Sequence, residues 1–480
     1  MGGGMSVTDL DEQQRRLVLT AHPLQRVGAY ALADLAGARR PEEVTPEGFD
    51  AAVAKMTADA IQAAKVRDTK RPEGFWLKVS LSFFPNSKMN HNAQLKKSDE
   101  ELDAGIREWR TPPEPASWPG VRCVLCGREA VGFYGKVDVP LAESHLYRNT
   151  TPRGHAGLAL CWPCVCSFHA LPYGCRLTGG PSIALHSWDE RFLAYVVSGQ
   201  VDENRRIIAV GQPADKILAR EVVALDALRH YGKPLTAGVE LLVFSNNNKG
   251  QTLDIHCLEQ PLAEWLRRTS QQPELRQGFV SLLLAHVTPT SPGVVGLARN
   301  AFHAPEKIPA ACARYLTDRF DRSGLVPRDA ADLARLCFSF VIEVMRMKES
   351  DLAELRATAR GVALLLSRES SGGKLREFNS TLHDQRRMQD WLRRQAVEWK
   401  LDPKNKGSQP LLSSRAFQLL FDTSTDNQAP FHRQLLFIAV LEELHRLDWC
   451  PKDAAEVAKE IAEESAALGV DDTKYLEGEE

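Results

Sequence analysis

The chain has 480 residues, of which 43% are apolar and 25% charged, with a net charge of −2. That is the composition of globular domains, and at about 100–200 residues per domain the length allows two to four of them. No apolar run approaches the ~20 residues of a membrane helix, so a helical span is excluded and a soluble protein is expected. The small net charge conceals an uneven distribution. The segment Lys452–Glu480 holds ten acidic and three basic residues, which leaves the preceding chain at +5; Arg356–Lys400 alone, with ten basic and five acidic residues, also carries +5. A mildly basic body with an acidic tail permits a nucleic-acid partner.

Residues 10–65 have helical periodicity. Leu24, Val27, Gly28, Tyr30, Ala31, Leu32 and Leu35 follow the spacing of one helix, and Thr45-Pro46-Glu47-Gly48 restarts a second with Thr as cap and Pro in the first turn. A strand is predicted over 75–83, where Phe75, Leu77, Val79, Leu81 and Phe83 alternate with polar or solvent-facing positions until Pro85 ends the run. Directly after it comes Asn86-Ser-Lys88-Met-Asn90-His-Asn92-Ala-Gln94-Leu-Lys96-Lys97. Such a loop has amides suited to base edges and ammonium groups suited to phosphates, although Asn in a solvated turn is the blander reading.

The least accidental feature is Cys123-Val-Leu-Cys126 followed by Cys161-Trp-Pro-Cys164. Two C-x-x-C pairs allow four sulfurs to converge at about 2.3 Å on a tetrahedral ion, for which a structural Zn²⁺ is the usual occupant. Gly127 suits the knuckle turn because it tolerates positive φ. Cys166, His169 and Cys175 lie near enough in sequence to replace a ligand, so the fourth position is the least certain of the set. A thioredoxin-like pair at 161–164 lacks the βαβ context, and ten cysteines in a chain without a secretory leader point to reduced thiols. An HNH-type nuclease also hangs its ββα unit between two such pairs, and His145, Asn149 and His155 lie between them here. Its base, Asn and trailing His positions, however, hold Glu143-Ser144-His145, Ala156 and Val165.

Further along, Arg205-Arg206 before Ile207-Ile208-Ala209-Val210 is predicted to open a strand. A hairpin is predicted from apolar runs at 240–244 and 252–258 around Ser245-Asn246-Asn247-Asn248-Lys249-Gly250-Gln251, a second Asn- and Lys-bearing loop. After Trp265 the pattern turns helical, and Thr288-Pro-Thr-Ser-Pro-Gly293 is predicted to be an interdomain linker. Amphipathic segments at 330–347, 352–367, 384–400, 415–421 and 431–447 suggest a helical bundle. Arg386, Arg387, Arg393 and Arg394 recur at helical intervals near Trp391, as a solvated face or as a track for a single strand.

In order along the chain, several motifs resemble the large subunit of type I CRISPR effector complexes (Cascade), nearest to the zinc-knuckle, type I-B-like group. They are His22-Pro23-Leu24 … Gly28-Ala-Tyr-Ala-Leu32 … Ala36-Gly37, Pro41-Glu42-Glu43-Val44-Thr45, Phe84-Pro85-Asn86-Ser87, the double C-x-x-C, and Phe244-Ser245-Asn246 with Gly250-Gln251. The likeness covers roughly residues 20–260; His22 departs from the family's usual Asn-Pro start, and Cys166 is an unusual addition. It implies a non-catalytic cytoplasmic, prokaryotic antiviral protein that reads a protospacer-adjacent motif in double-stranded DNA. It also implies help in opening an R-loop, a hold on the displaced strand, and recruitment of a helicase-nuclease. The implied partners are a guide crRNA and the backbone, 5′-end-capping and small subunits.

Taken together, an α+β fold is expected: a mixed N-terminal α/β region over 1–298 with a zinc knuckle embedded at about 118–178, then a C-terminal helical bundle over 299–480 with an acidic tail. Expected metal ligands are Cys123, Cys126, Cys161 and Cys164. Expected DNA contacts are Asn86, Lys88, Asn90, Asn92, Asn246, Asn247, Asn248, Lys249, Gln251 and the four arginines, with no catalytic residues. A degenerate HNH-type metal-dependent nuclease is the alternative, to be told apart by divalent-cation-dependent cutting.

Overall fold

The computed structural model describes residues 12–66, 82–90, 96–142, 157–178, 180–210, 219–247, 250–323, 326–405, 407, 409–422 and 428–449. It is α+β, with small sheets in the N-terminal half and helices throughout the C-terminal half. Two compact units emerge: residues 1–220 with 233–260, and residues 221–232 with 261–480. The division thus falls near 260 rather than at the expected 298. The expected linker is a tight turn inside the second unit, closed by Thr288 N–H to Ser291 O (3.1 Å) and Ser291 N–H to Thr288 O (3.3 Å).

In the first unit, α1 (Pro23–Leu35) starts where the predicted helix does. His22 Nδ1 accepts from Gln25 N–H at 3.4 Å, Pro23 fits the first turn, and the helix is buried along nearly its whole length. Its Gly28 permits a close crossing: a Cβ there would stand 1.9 Å from the Ser167 carbonyl of α4 (Trp162–Ala170). Thr45 caps α2 (Pro46–Lys65) through Gly48 N–H at 3.1 Å, as the sequence predicts. A capping box that the sequence reading overlooked, Ser98 with Glu101, opens α3 (Asp99–Trp109). Strands β1 (Gly132–Tyr134) and β2 (Leu158–Leu160) form an antiparallel ribbon just ahead of α4.

The larger sheet has the order β3 (Ser182–Ser187), β4 (Val239–Asn247), β5 (Gly250–Leu258), all antiparallel. The predicted hairpin is therefore present, with Ser245 opposite Thr252 and Asn246 opposite Gln251. One strand prediction is corrected, and a second falls mostly outside the described residues. Residues 207–210 end α5 (Glu190–Val210), because Val197, Val201, Asn204 and Ile207 are buried at helical spacing and continue one face. Of the run predicted at 75–83, residues 75–81 lie outside the described residues, and Ser82 and Phe83 are helical.

The second unit begins with α6 (Val222–His230), which joins it because Gln271 Nε2 of α7 (Gln260–Gln271) donates to the carbonyls of Leu228 (3.0 Å), Arg229 (2.8 Å) and Tyr231 (2.9 Å). There follow α8 (Arg276–Leu284), α9 (Gly293–His303), α10 (Lys307–Ser323), α11 (Ala330–Glu343) and α12 (Glu349–Leu366). The remaining helices are α13 (Gly373–Thr381), α14 (Gln385–Leu401), α15 (Ser414–Phe421) and α16 (Ala429–Arg446). The last is the centre of the unit. Leu435 through Leu441 are each at most 1% exposed, so α16 is apolar all round in this stretch and is enclosed by α10, α11, α12 and α15. Among the described residues, no helix is long and apolar enough to cross a membrane.

Candidate metal centre and polar loops

The four knuckle cysteines converge. Their Sγ atoms all lie within 4.8 Å of one another, and Cys126 Sγ stands 3.4 Å from Cys161 Sγ. Ligands at 2.3 Å on a tetrahedron are about 3.8 Å apart, so the set fits an ion of zinc's size. Cys123, Cys161 and Cys164 are at most 2% exposed.

Local chain geometry explains the convergence. Gly127 at φ 75° lets its N–H turn back to the Cys123 carbonyl (2.9 Å), while Cys123 N–H reaches Arg128 O at 2.7 Å. The knuckle is tied to the ribbon through Val124 N–H to Ala159 O (2.9 Å). Cys161 then occupies the N-cap of α4 and Cys164 its first turn, so the positive end of the helix faces the thiolates. Cys166, His169 and Cys175 do not join the cluster, which resolves the fourth ligand as Cys164. His169 instead packs among the rings of Phe84, Trp109 and Trp162 with its Nε2 3.7 Å from Asp138 Oδ1, and burial brings it down to about 4. Val165 is fully buried in α4, and the other HNH-related positions, 143–145, 149, 155 and 156, lie outside the described residues.

Without a cation the four thiols cannot all ionise. Hydrogen bonds from Cys126, Cys161 and Cys164 hold Cys123 far below an ordinary thiol. Cys161 and Cys164 are driven up, first by Cys123 and then by Cys126. One charge in the cage raises the cost of the next, and a divalent ion relieves that repulsion.

One supporting residue escaped the sequence reading. Buried Gln14 accepts from Trp162 N–H (2.8 Å) and donates to Glu129 O (3.1 Å), so it clamps the two halves of the knuckle. Nearby, Arg128 donates to the carbonyls of Gln13 (3.1 Å) and Arg16. A lone Gln 109 residues before the first cysteine carries no spacing signal that could have revealed this.

The expected DNA contacts divide sharply. Asn246 is withdrawn as a base reader: it is 0% exposed and fully engaged. Its Nδ2 donates to Phe83 O (2.7 Å) and Lys136 O (2.9 Å), and its Oδ1 accepts from Leu141 N–H (3.1 Å) and Gln251 Nε2 (2.7 Å). Gln251 is thereby occupied too, and Asn90, 5% exposed, is also inside. Asn247 is exposed, and so are Asn86, in the left-handed region at φ 65°, and Lys88. Asn92, Asn248 and Lys249 lie outside the described residues.

In the second unit Arg386, Arg387, Arg393 and Arg394 are all exposed on α14, while Trp391 and Met388 fill its inner face. Three of them meet carboxylates: Arg387 with Asp384 (3.5 Å), Arg393 with Asp390 (3.3 Å) and Arg394 with Glu377 (2.8 Å). Exposed pairs of this kind are worth about 0–1 kcal/mol, so a phosphate can displace the carboxylate at little cost. Among models of known protein families and characterised proteins, none matches the chain.

Proposed function

We propose that the chain is the large, non-catalytic subunit of a type I CRISPR surveillance complex, stabilised by a structural Zn²⁺ on Cys123, Cys126, Cys161 and Cys164. An all-thiolate set is soft and closed, which favours zinc over hard cations and leaves no coordination position for a reacting water. The ion's part is to hold the knuckle against β1, β2 and α4. In this reading the first unit recognises the protospacer-adjacent motif in duplex DNA beside the guide crRNA and the other subunits. The arginine face of α14 holds the displaced strand, and a helicase-nuclease docks on the assembled complex.

One observation carries most weight. The turn 84–90 presents Asn86 and Lys88 to solvent from a base in which Phe83, Phe84 and Met89 are at most 4% exposed. A reader of a short motif needs such a mount, since an amide held in place can discriminate bases by about 1–3 kcal/mol per good contact. The test is target binding by the reconstituted complex on a library with the motif randomised. Asn86→Ala or Asn247→Ala is expected to change which motifs are bound, and Lys88→Ala to weaken all of them alike. An unchanged motif profile in both Asn variants, with assembly intact, overturns this account of how DNA is chosen.

A further inference from the structure

Between β3 and α5 lies a residue that neither the metal centre nor the expected readers use. Trp188 is 50% exposed, yet it is held firmly. The neighbouring Asp189 is buried and fixes the backbone: its Oδ1 accepts from the N–H of Arg191 (3.0 Å) and Phe192 (3.1 Å), and its Oδ2 from the N–H and hydroxyl of Thr236 (2.9 Å each). The Arg26 guanidinium lies over one face of the indole, 4.9 Å from its centroid, and the His186 ring meets it edge-on at 5.0 Å. Both supports are themselves anchored. Arg26 pairs with Glu190 at 3.2 Å, and fully buried His186 bonds Glu240 at 2.8 Å. Along α5, exposed Arg191 has no carboxylate partner among the described residues, and Tyr195, 40% exposed, follows it at i+4 on the same face.

We propose that Trp188, with Arg191 and Tyr195 following it on α5, is a stacking platform for unpaired bases of a single-stranded nucleic acid. The inference rests on the reading of the chain as a nucleic-acid-binding subunit, and adds a contact in the first unit that the Asn loops and α14 do not provide. Every base has a π-face, so an indole already ordered by Arg26 and His186 stacks with any of them and loses little entropy on binding. Glu190 and Glu240 are engaged by their own partners, and Arg191 is available to a phosphate. The Glu190 carboxylate is neutralised by Arg26, and the exposed Arg191 cation three residues after the ring favours a polynucleotide over the apolar surface of a protein anchor pocket.

The experiment measures binding of labelled oligo-dT and oligo-U to the full chain and to its reconstituted complex, with Trp188→Ala and Trp188→Phe. Trp188→Ala is expected to weaken both oligonucleotides about tenfold, the loss of one base–aromatic stack, and Trp188→Phe to restore most of it. The melting temperature should hold in both, since the ring is half in water. Wild-type affinity in Trp188→Ala overturns the proposal. Retained oligonucleotide binding with lost subunit assembly overturns it in favour of a protein contact. If the unsubstituted protein binds no oligonucleotide in either form, the reading of the chain as a nucleic-acid binder falls as well.

Discussion

Both units have an apolar core, but the first adds polar ties between distant segments, whereas the second is gathered around one apolar helix. In the one, four thiols, Gln14 and Asn246 each join segments far apart in sequence. In the other, α16 supplies an unbroken apolar stretch from Leu435 to Leu441 that its neighbours enclose. The difference is one of failure mode. Removing one member of such a tie leaves several groups without partners at once, while truncating a packed side chain costs in proportion to the cavity it leaves.

The largest expected effect breaks this contrast directly. Prolonged chelation of the protein, or Cys161→Ser, should unfold the knuckle segment of the first unit and leave the second folded, seen as loss of hydrogen-exchange protection confined to residues 120–170 and their neighbours. Structural thiolate sites contribute folding free energy outright, which is why the effect is placed first. Elemental analysis of reduced, chelator-free protein should find one equivalent of zinc per chain; less than about half an equivalent argues against a closed site.

Asn246→Ala comes next, with an expected loss of about 1–3 kcal/mol, because the buried Phe83 carbonyl is left without a partner and three half-buried groups lose theirs. Asn247→Ala, one residue along the same strand and exposed, should cost under about 1 kcal/mol in the same denaturant titration. Equal losses at the two positions would undo the assignment of Asn246 as a tie between the hairpin and the knuckle segment.

Acid sharpens the comparison in a different way. His286 of the second unit is buried with Nδ1 against Leu282 O (2.7 Å), and burial lowers it to about 4. The unfolded chain takes up that proton near pH 6.5 and the folded unit does not, so this contribution is full above pH 6.5 and falls away between about 6.5 and 4. The loss amounts to about 3 kcal/mol at most, and His286→Leu should flatten the pH dependence of the second unit's melting. The smallest change in stability is expected from Arg386, Arg387, Arg393 and Arg394 to Glu. Their melting temperature should hold within a few degrees, while opening of the non-target strand, read by base reactivity, should diminish.

How much of this was legible follows the same division. The helices predicted at 24–35, from 45, and at 330–347, 352–367, 384–400 and 415–421 were readable from a 3.6-residue stripe, whereas α3, α4, α5 and α13 were not predicted. The cap at Thr45, the hairpin and the four cysteines are local patterns that need no partner to be recognised. The run at 207–210 misled because four apolar residues have no period of their own, and only the burial of Val197, Val201 and Asn204 upstream shows which face they continue. Asn246 misled for a deeper reason. An amide near a hairpin tip looks the same in sequence whether it faces water or the carbonyls of Phe83 and Lys136, and those partners are more than a hundred residues away. Gln14 could not be seen at all on this basis, and the placing of 221–232 in the second unit has a similar cause, the three carbonyls that Gln271 collects from 228–231.

Gln14 has a consequence for the order of events as the chain is made. Its partner Trp162 emerges from the ribosome 148 residues later, by which time α1 and α2 are already available to form. At about 5–20 residues per second that delay is roughly 7–30 seconds, and for the last roughly 2–8 seconds of it the first C-x-x-C pair is exposed without its second. The knuckle is therefore closed late relative to Gln14, and in the short interval between its two pairs the nascent chain carries a two-thiol site open to the wrong metal or to an oxidant.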